Sequence, residues 1–408
     1  MSVSAISLDY RNQNPSGEII ITGSKSESNR WLILQKIWGN IVIDNLSNAE
    51  DTLLLQKALL SEDEIIDINH AGTAMRFLTS YFASTERRNV ILTGSDRMKN
   101  RPIAVLVDAL LSLGAEISYI EKEGFPPLKI TGKKLLKNSV TLAGNISSQY
   151  ISSLLLIAPA LPNGLTINFN TEITSRPYLD MTIAQLKEIG ANIFWDNNSL
   201  IIEPLRNINK QKIEVVVESD WSAASYFYST IALSKNGTVT LNYFQPKSKQ
   251  GDAVLSEIYK LFGVSTTFKN NQIYLKKDKD FEYPNSIELD LVNTPDIAQT
   301  IVVTCLGLEI DCVLTGLHTL KIKETDRLQA LKNELEKLGA SVFITENSLQ
   351  MITPKQLNKD VKIETYHDHR MAMSYAPLSL KIPLYIEDIN VVEKSYPEFW
   401  NDFKQLFI

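Results

Sequence analysis

Residues 321–328, Lys-Ile-Lys-Glu-Thr-Asp-Arg-Leu, bring three cations and two carboxylates together directly ahead of an apolar helical pattern over residues 331–338. The first turn of a helix favours negative charge, so cations collected there indicate that an anion binds from outside. Lys323 and Arg327 are four residues apart, which makes them neighbours on a helix surface. A solvated, salt-bridged helix start would use the same residue types, so this segment alone leaves both interpretations open.

Similar polar segments precede other apolar helices along the chain. In each of them, backbone N–H groups at a helix start would lie beside hydroxyl or cationic side chains, a combination that suits phosphate or carboxylate groups. Plain helix capping is the alternative for each. The His-x-His pair in residues 366–370 has no third ligand nearby in the sequence, so we predict no metal site. The segments span residues 23–30, 70–76, 97–102, 147–149, 175–178 and 366–370. Pro102, the last residue of the third segment, is expected to start a helix, since proline suits the first helical position.

The elements that must position these segments form an internal repeat. Gly114, Gly190, Gly263 and Gly339 are spaced 76, 73 and 76 residues apart, and each follows a helical pattern and precedes an alternating, strand-like one. The pattern before Gly263 predicts a helix from Val254 to Phe262. Glycine just after a helix is the usual left-handed cap. Small polar residues that open apolar helices recur with nearly the same period, at Thr73, Ser148, Ser222, Asp296 and His369, with an earlier copy at Ser28. The sequence therefore predicts six βαβ-type modules, each of several strands and two helices.

Six modules in 408 residues favour two domains of three modules each, because one core rarely extends over so long a chain. The first module is truncated in front, so we expect the N-terminal strand, roughly residues 4–21, to pair with the last domain. The predicted domains are residues 23–218 (continuous) and residues 1–22 plus 219–408 (discontinuous), with crossings near residues 22 and 218 and Asp220 capping the next helix. Two short crossings suggest a hinge, and the polar segments should then converge at an interdomain cleft.

Composition excludes several classes of protein. The net charge of −6 argues against a nucleic-acid surface, and 44% hydrophobic with 22% charged residues is typical of a globular chain. Cys305 and Cys312 match neither a zinc site nor a disulfide framework. No signal-peptide pattern and no uninterrupted apolar stretch of about 18 residues is present, so we expect an unprocessed cytoplasmic protein.

Taken together, the segments resemble the signature stretches of the 5-enolpyruvylshikimate-3-phosphate synthase family. The matches run in order from residue 23 to residue 394, and Lys-Glu-Thr-Asp-Arg-Leu at 323–328 followed by Asp-His-Arg-Met-Ala-Met at 368–373 is highly specific. The resemblance implies an α/β fold with two inside-out α/β barrel domains, as in enolpyruvyl transferases. It also implies a transferase of the shikimate pathway, which leads to chorismate and the aromatic amino acids. In that reaction the 5-hydroxyl of shikimate 3-phosphate adds to C2 of phosphoenolpyruvate, and phosphate leaves.

The resemblance further implies two sets of binding residues, no cofactor, no nucleic-acid or membrane partner, and a monomer. The residues expected to bind shikimate 3-phosphate are Lys25, Ser26, Arg30, Ser147, Ser148, Gln149, Ser175, Tyr178, Asp296 and Lys323. The residues expected to bind phosphoenolpyruvate are Lys25, Gly72, Arg101, Gln149, Glu324, Arg327, His369, Arg370 and Lys394.

The chemistry needs an acid, a base and a stabilised leaving group. Our hypothesis is that Glu324 protonates C3 of phosphoenolpyruvate, Asp296 accepts the proton of the 5-hydroxyl, and Lys25 stabilises the departing phosphate. The division of roles between Lys25 and Glu324 stays open at this point.

Three residues depart from the family pattern, and two other functions compete. His70 stands where the family usually has Asn, and Phe77 stands where Pro or Leu is frequent. Both positions belong to the wall that shapes sensitivity to the inhibitor glyphosate. Thr319 stands where Asn often contacts shikimate.

A UDP-N-acetylglucosamine enolpyruvyl transferase would need a Cys in a mobile loop of the first domain, whereas both Cys lie in the second. A non-catalytic anion-binding protein would keep the cations and lose the acids, whereas Asp296 and Glu324 are both present.

Overall fold

The structure is a computed structural model that describes residues 4–174, 176–206 and 211–408. The described residues divide into two compact units. The terminal unit comprises Met1–Thr22 and Glu218–Ile408, and the inserted unit comprises Gly23–Val217. Each unit has its own hydrophobic core. No helix in the described part of the chain is both long enough and apolar enough to cross a membrane.

The helices begin where the sequence pattern places small polar residues. Side chains of Ser24, Ser147, Asp220 and Asp368 each accept a hydrogen bond from a backbone N–H group in the first turn of the helix that follows. No helical carbonyl can satisfy these N–H groups. The predicted cap at Asp220 is thereby confirmed. The helices are α1 (Lys25–Trp38), α2 (Glu50–Leu60), α3 (Gly72–Ser84), α4 (Asp96–Lys99), α5 (Ala104–Ser112), α6 (Ser148–Ile157), α7 (Arg176–Glu188), α8 (Trp221–Leu233), α9 (Leu255–Ile258), α10 (Ala298–Gly307), α11 (Arg327–Lys337), α12 (His369–Tyr375) and α13 (Phe399–Gln405).

The strands are short, and most alternate buried and exposed residues as half-buried strands do. They are β1 (Ala5–Leu8), β2 (Ser16–Ile19), β3 (Ile41–Asp44), β4 (Ile65–Asp67), β5 (Asn89–Thr93), β6 (Glu116–Tyr119), β7 (Leu128–Thr131), β8 (Ser139–Leu142), β9 (Leu165–Phe169), β10 (Ile193–Asp196), β11 (Ser199–Ile202), β12 (Ile213–Val216), β13 (Thr238–Asn242), β14 (Val264–Lys269), β15 (Gln272–Lys277), β16 (Ser286–Asp290), β17 (Asp311–Thr315), β18 (Ser341–Ile344), β19 (Leu349–Ile352), β20 (Val361–Ile363) and β21 (Leu384–Glu387).

The predicted repeat appears as one sheet pattern that occurs four times in the described residues. Two parallel strands lie side by side, and an antiparallel hairpin follows on one edge. The four sheets have the orders β4-β5-β7-β6, β8-β9-β11-β10, β2-β13-β15-β14 and β16-β17-β19-β18. The other two modules are reduced, to the pair β3-β12 and the sheet β1-β21-β20.

The two crossings between units exchange strands. Strand β2 leads through α1 to β3, and β12 leads through α8 to β13. Local pairing would join β2 with β3 and β12 with β13. Instead, β3 pairs in parallel with β12 inside the inserted unit, and β2 pairs in parallel with β13 inside the terminal unit. Strand β1 pairs with β21, so the N-terminal segment forms two strands of the terminal unit.

The buried helices carry hydroxyl groups at equivalent positions of the repeat. Ser80 of α3 hydrogen-bonds Ser153 of α6, 73 residues later. In the terminal unit, Ser225 and Ser229 of α8 hydrogen-bond Thr300 and Thr304 of α10 over 3.0 and 2.8 Å, each 75 residues apart. Because a buried hydroxyl is costly unless it is hydrogen-bonded, these pairs fix how neighbouring modules pack.

The local expectations hold with two differences. Gly114, Gly190, Gly263 and Gly339 all have positive φ, between 66° and 102°, which confirms the left-handed caps. The helix expected from Val254 to Phe262 consists of α9 with 3-10 turns on both sides, Gly251–Val254 and Tyr259–Phe262. Pro102 does not start a helix, since α5 begins two residues later.

Candidate active site

Arg327 is the centre of a charged cluster in the terminal unit. It opens α11, and Asp326 caps that helix by accepting a hydrogen bond from the Gln329 N–H. The guanidinium is 1% exposed and contacts three carboxylates, Asp296 at 3.0 Å, Glu324 at 2.7 Å and Asp368 at 2.7 Å. The ion pairs therefore use all three nitrogens of Arg327, which holds the carboxylates in fixed positions.

Further cations surround the same carboxylates. Lys323 lies 3.4 Å from Asp296, and Lys394 lies 2.9 Å from Glu324. Arg370 contacts Asp296 twice, through its carboxylate at 3.3 Å and its backbone carbonyl at 3.1 Å. We call these residues the terminal-unit cluster: Asp296, Lys323, Glu324, Arg327, Asp368, His369, Arg370 and Lys394.

The electrostatics hold Asp296 ionised. Burial by itself raises the pKa of Asp296, but Arg370, Lys323 and Arg327 outweigh that effect and hold it well below its usual value. For Arg327, burial lowers the pKa, and the carboxylates led by Asp368 more than compensate, so its pKa is raised. A strongly ionised Asp296 is a poor base until other anions engage its cations.

Asp368 was absent from the residues predicted for the site, although it stands within the quoted Asp-His-Arg motif. It is fully buried, binds Arg327, and caps α12 by accepting a hydrogen bond from the Arg370 N–H. His369 is also buried, with its Nδ1 3.8 Å from Asp368. The sequence did contain a signal for Asp368. It is an acidic residue that can cap a helix, and it stands at the position of the repeat where other modules also have a helix cap.

The turn before Asp368 has an unusual backbone. Tyr366 and His367 both have left-handed φ values, 53° and 56°, which cost energy for residues with a side chain. The Tyr366 hydroxyl donates to Glu334 at 2.7 Å, and the His367 ring contacts Asp388 at 3.1 Å. These contacts anchor the strained turn that presents Asp368 and the residues after it.

In the inserted unit, Lys25 opens α1 beside a buried carboxylate. Its Nζ lies 3.4 Å from Asp51 of α2, and both side chains are largely buried. The helix start also contains Ser26, whose backbone carbonyl accepts a hydrogen bond from Arg30 at 2.6 Å. Sequence reasoning did not identify Asp51, because its pairing with Lys25 depends on how α1 packs against α2.

Arg30 is held mainly by protein groups. Its guanidinium donates to Thr182 at 2.7 Å, Ser152 at 3.1 Å and the Tyr178 carbonyl at 3.3 Å, besides the Ser26 carbonyl. Partners in the described part of the chain thus use four of its five N–H groups, which leaves one for a ligand. Burial lowers the pKa of Arg30 to about 10.

The starts of α3 and α6 bring further predicted residues together. The Gln149 amide donates to the Thr73 hydroxyl at 3.3 Å, and Ser147 and Ser148 form the cap and first residue of α6. The Arg101 guanidinium packs against Gly72 so closely that a Cβ there would lie 2.5 Å from its Nη1. Within the described ranges, the Arg101 side chain makes no hydrogen bond or ion pair, so its charge is available to an anion.

We call the predicted residues of this unit the inserted-unit cluster: Lys25, Ser26, Arg30, Gly72, Arg101, Ser147, Ser148, Gln149 and Tyr178. Ser175, which we also predicted to bind substrate, lies outside the described residues. Among the three departures, the His70 ring contacts Glu50 at 3.1 Å and the Phe77 ring packs 5.5 Å from Arg30. The buried Thr319 hydroxyl has no hydrogen-bond partner among the described residues.

Comparison with known proteins identifies the family. The sequence profile of EPSP synthase (3-phosphoshikimate 1-carboxyvinyltransferase) matches residues 55–403. The chain belongs to the EPSP synthase family. A 3-phosphoshikimate 1-carboxyvinyltransferase of Bacteroides fragilis is 44% identical over 392 residues, which cover 95% of this chain and 94% of that protein. One from Colwellia psychrerythraea is 33% identical over 419 residues, with 96% of each chain covered.

Solved structures of EPSP synthases share the fold. The enzyme from Acinetobacter baumannii superimposes with a TM-score of 0.79 at 20% sequence identity, covering 99% of this chain and 98% of that one. This likeness confirms the predicted two-domain α/β fold of the family. No group of three or more His, Cys, Asp or Glu side chains in the described ranges is arranged to bind a metal ion.

Proposed function

We propose that this chain transfers the enolpyruvyl group of phosphoenolpyruvate to the 5-hydroxyl of shikimate 3-phosphate. The single observation that carries the proposal is the terminal-unit cluster, in which Asp296 and Glu324 are fixed on Arg327 among cations. Membership of the EPSP synthase family supports the same reaction. Four cations, Lys323, Arg327, Arg370 and Lys394, exceed what one phosphate group needs and suit two anionic substrates.

In the proposed reaction, the 5-hydroxyl oxygen bonds to C2 of phosphoenolpyruvate while Asp296 takes the hydroxyl proton. Glu324 delivers a proton to C3, so that a tetrahedral intermediate forms. The Glu324 carboxylate then takes a proton back from C3, the C2–C3 double bond forms again, and the phosphate oxygen leaves C2. Lys25 stabilises the phosphate as it departs.

Substrate charge explains how the two carboxyl groups become active. The phosphate and carboxylate groups of the substrates compete for Lys323 and Arg370, which now depress the pKa of Asp296. As those cations turn to the substrates, the proton affinity of Asp296 rises and it becomes a better base. Lys394, which now contacts Glu324 at 2.9 Å, is drawn to phosphoenolpyruvate in the same way.

We propose that the remaining predicted residues bind the two substrates. Ser26, Arg30, Ser147, Ser148, Gln149, Ser175 and Tyr178 join Lys25, Asp296 and Lys323 at shikimate 3-phosphate. Gly72, Arg101, Gln149, Arg327, His369, Arg370 and Lys394 join Lys25 and Glu324 at phosphoenolpyruvate. The available Arg101 guanidinium and the remaining N–H of Arg30 support this division. We further propose that the protein is a cytoplasmic monomer, which size-exclusion chromatography with light scattering tests for oligomeric state.

The rival enolpyruvyl transferase reaction has no support in the described residues. That reaction would need a reactive Cys in a mobile loop, whereas Cys305 of α10 and Cys312 of β17 are both buried in the core of the terminal unit. Burial also raises the pKa of the Cys305 thiol well above its usual value, which disfavours the reactive thiolate.

The test is phosphate release from phosphoenolpyruvate in the presence of shikimate 3-phosphate or UDP-N-acetylglucosamine. We expect release with shikimate 3-phosphate only, and a fall of about 100- to 10,000-fold in kcat for Glu324→Gln and Asp296→Asn. Asp326→Asn is the matched control, because Asp326 belongs to the same segment, is exposed, and Asn caps helices equally well. Normal turnover by both Glu324→Gln and Asp296→Asn would contradict the assigned roles.

A further inference from the structure

Asp252 is a buried carboxyl group near the terminal-unit cluster that the proposed reaction does not use. It lies in the 3-10 turn Gly251–Val254 that precedes α9 and is 6% exposed. Its carboxyl accepts a hydrogen bond from the Ser222 hydroxyl in the first turn of α8. Within the described ranges this is its only hydrogen bond. A buried carboxylate ordinarily needs several donors or a cation.

The repeat gives Asp252 a counterpart in the inserted unit. The order α1, β3, α2 in that unit corresponds to α8, β13 and the turn before α9 in the terminal unit. Asp51 near the start of α2 and Asp252 in the turn are thus equivalent buried acids. Asp51 contacts a cation, Lys25, at 3.4 Å, whereas the hydrogen-bonding partner of the Asp252 carboxyl among the described residues is a hydroxyl. The two acids differ in the charge of their partners.

The charged groups that face Asp252 come from three directions. Asp220 lies on the α8 side, Asp296 lies ahead of α10, and Arg370 lies on α12. Burial, and after it the negative charge of Asp296, raises the pKa of Asp252 to about 7. Glu218, another buried acid linked to the preceding Gln250, differs because it has four hydrogen-bond donors, from Trp221, Gln245, Ser248 and Gln250.

Protonation of Asp252 affects the net charge in and around the terminal-unit cluster. With His369 neutral, the cluster has four cations and three carboxylates, Asp296, Glu324 and Asp368, for a net charge of +1. An ionised Asp252 would cancel that charge at the place where anionic substrates bind. A neutral Asp252 preserves it.

We propose that Asp252 is a proton-binding positioning residue of the terminal-unit cluster, whose protonation lets the cluster keep its positive charge when anionic substrates bind. This inference rests on the proposed function, because it supposes that the cluster binds phosphoenolpyruvate and shikimate 3-phosphate. Bound anions favour the protonated form of Asp252 further. Substrate binding is therefore coupled to uptake of a proton at this residue.

Two measurements test the coupling. Calorimetric titration of the whole protein with shikimate 3-phosphate and phosphoenolpyruvate, in buffers of different ionisation enthalpy at pH 7.5, reports the protons taken up. We expect wild type to take up more protons than Asp252→Asn, with a difference below one, because a carboxyl group with a pKa of about 7 is already partly protonated at pH 7.5. The product of the two KM values of wild type should rise about tenfold per pH unit above the pH at which Asp252 ionises in the free protein, whereas that of Asp252→Asn should rise less.

Asp402→Asn is the matched control. Asp402 also has a raised pKa, through burial, but it accepts a hydrogen bond from Tyr396 and does not belong to the terminal-unit cluster. Its variant should retain the proton uptake and the pH profile of wild type. Ser222→Ala removes the hydrogen bond from Ser222 to the Asp252 carboxyl and should raise the pH at which KM begins to increase.

The outcomes separate this inference from the proposed function. Absence of phosphate release by wild type overturns the proposed function. A working wild type whose proton uptake and pH profile equal those of Asp252→Asn overturns the inference alone. A uniform loss of activity in Asp252→Asn at every pH, with unchanged proton uptake, also overturns it, because that pattern belongs to a structural role.

Discussion

Substitution of Gly72 by alanine should weaken phosphoenolpyruvate binding by displacing Arg101. An added Cβ would lie 2.5 Å from Nη1, 3.0 Å from Cζ and 3.1 Å from Nη2 of Arg101. Ordinary contacts begin near 3.4 Å, so the guanidinium must retreat by about 1 Å. The movement should change the free energy of unfolding little, because the guanidinium is the end of a flexible side chain and has no hydrogen-bond or ion-pair partner in the described ranges.

The cost should appear in substrate binding instead. A hydrogen bond to a charged group contributes about 1.5–3 kcal/mol, and about 1.4 kcal/mol corresponds to a factor of ten. We therefore expect the KM for phosphoenolpyruvate to rise about 10- to 100-fold in Gly72→Ala. The KM for shikimate 3-phosphate should change much less, and the thermal midpoint should shift by no more than about 2 °C.

A double-mutant cycle on steady-state phosphate release tests the cause. Arg101→Ala alone should raise the same KM, and adding Gly72→Ala to it should have little further effect, because the displaced group is already gone. Additive effects of the two substitutions would refute the reasoning, as would an unchanged KM in Gly72→Ala.

Three other substitutions probe the rest of the molecule. Asp368→Asn leaves Arg327 with one fewer buried carboxylate, so we expect a loss of about 3–5 kcal/mol in urea unfolding and at least about a 100-fold loss of kcat. Thr304→Val leaves the hydroxyls that pair with it unsatisfied at 0% exposure, which should cost about 1–3 kcal/mol while kcat stays normal. Burial lowers the pKa of Lys277 from 10.5 to about 8. Between those values the unfolded chain binds more protons, so the free energy of unfolding should rise with pH, and Lys277→Met should lack that rise.

Each of these expectations has a contradicting result. Asp368→Asn with wild-type stability would mean that Arg327 does not depend on that carboxylate. Thr304→Val with a lowered kcat and normal stability would place Thr304 in the reaction instead of the core. The urea midpoint of wild type could instead decrease, relative to that of Lys277→Met, as the pH rises from 8 to 10. That result would show that Lys277 binds its proton more strongly in the folded chain than in the unfolded one.

Much of the architecture was readable because its signals are local. The glycine caps, the small polar helix starts and the strand alternation each depend on a few neighbouring residues. Their recurrence about every 74 residues predicted modules, and the four sheets of identical order reproduce them. The helix from Val254 to Phe262 was the weaker prediction, because an apolar period of 3.6 residues does not distinguish an α-helix from α and 3-10 turns joined together.

The residue types of the site and their positions within the repeat follow from the sequence alone, because capping and charge at helix starts are local properties. Which charged groups contact one another depends on the tertiary structure. Arg327 pairs with Asp368, which is 41 residues away in the sequence, and Lys25 pairs with Asp51 on the next helix. Asp252 accepts its hydrogen bond from the Ser222 hydroxyl. Parallel pairing of β3 with β12 and of β2 with β13 likewise joins segments about 170 and 220 residues apart. Such pairings follow from packing between modules, and packing leaves no pattern within a short stretch of chain.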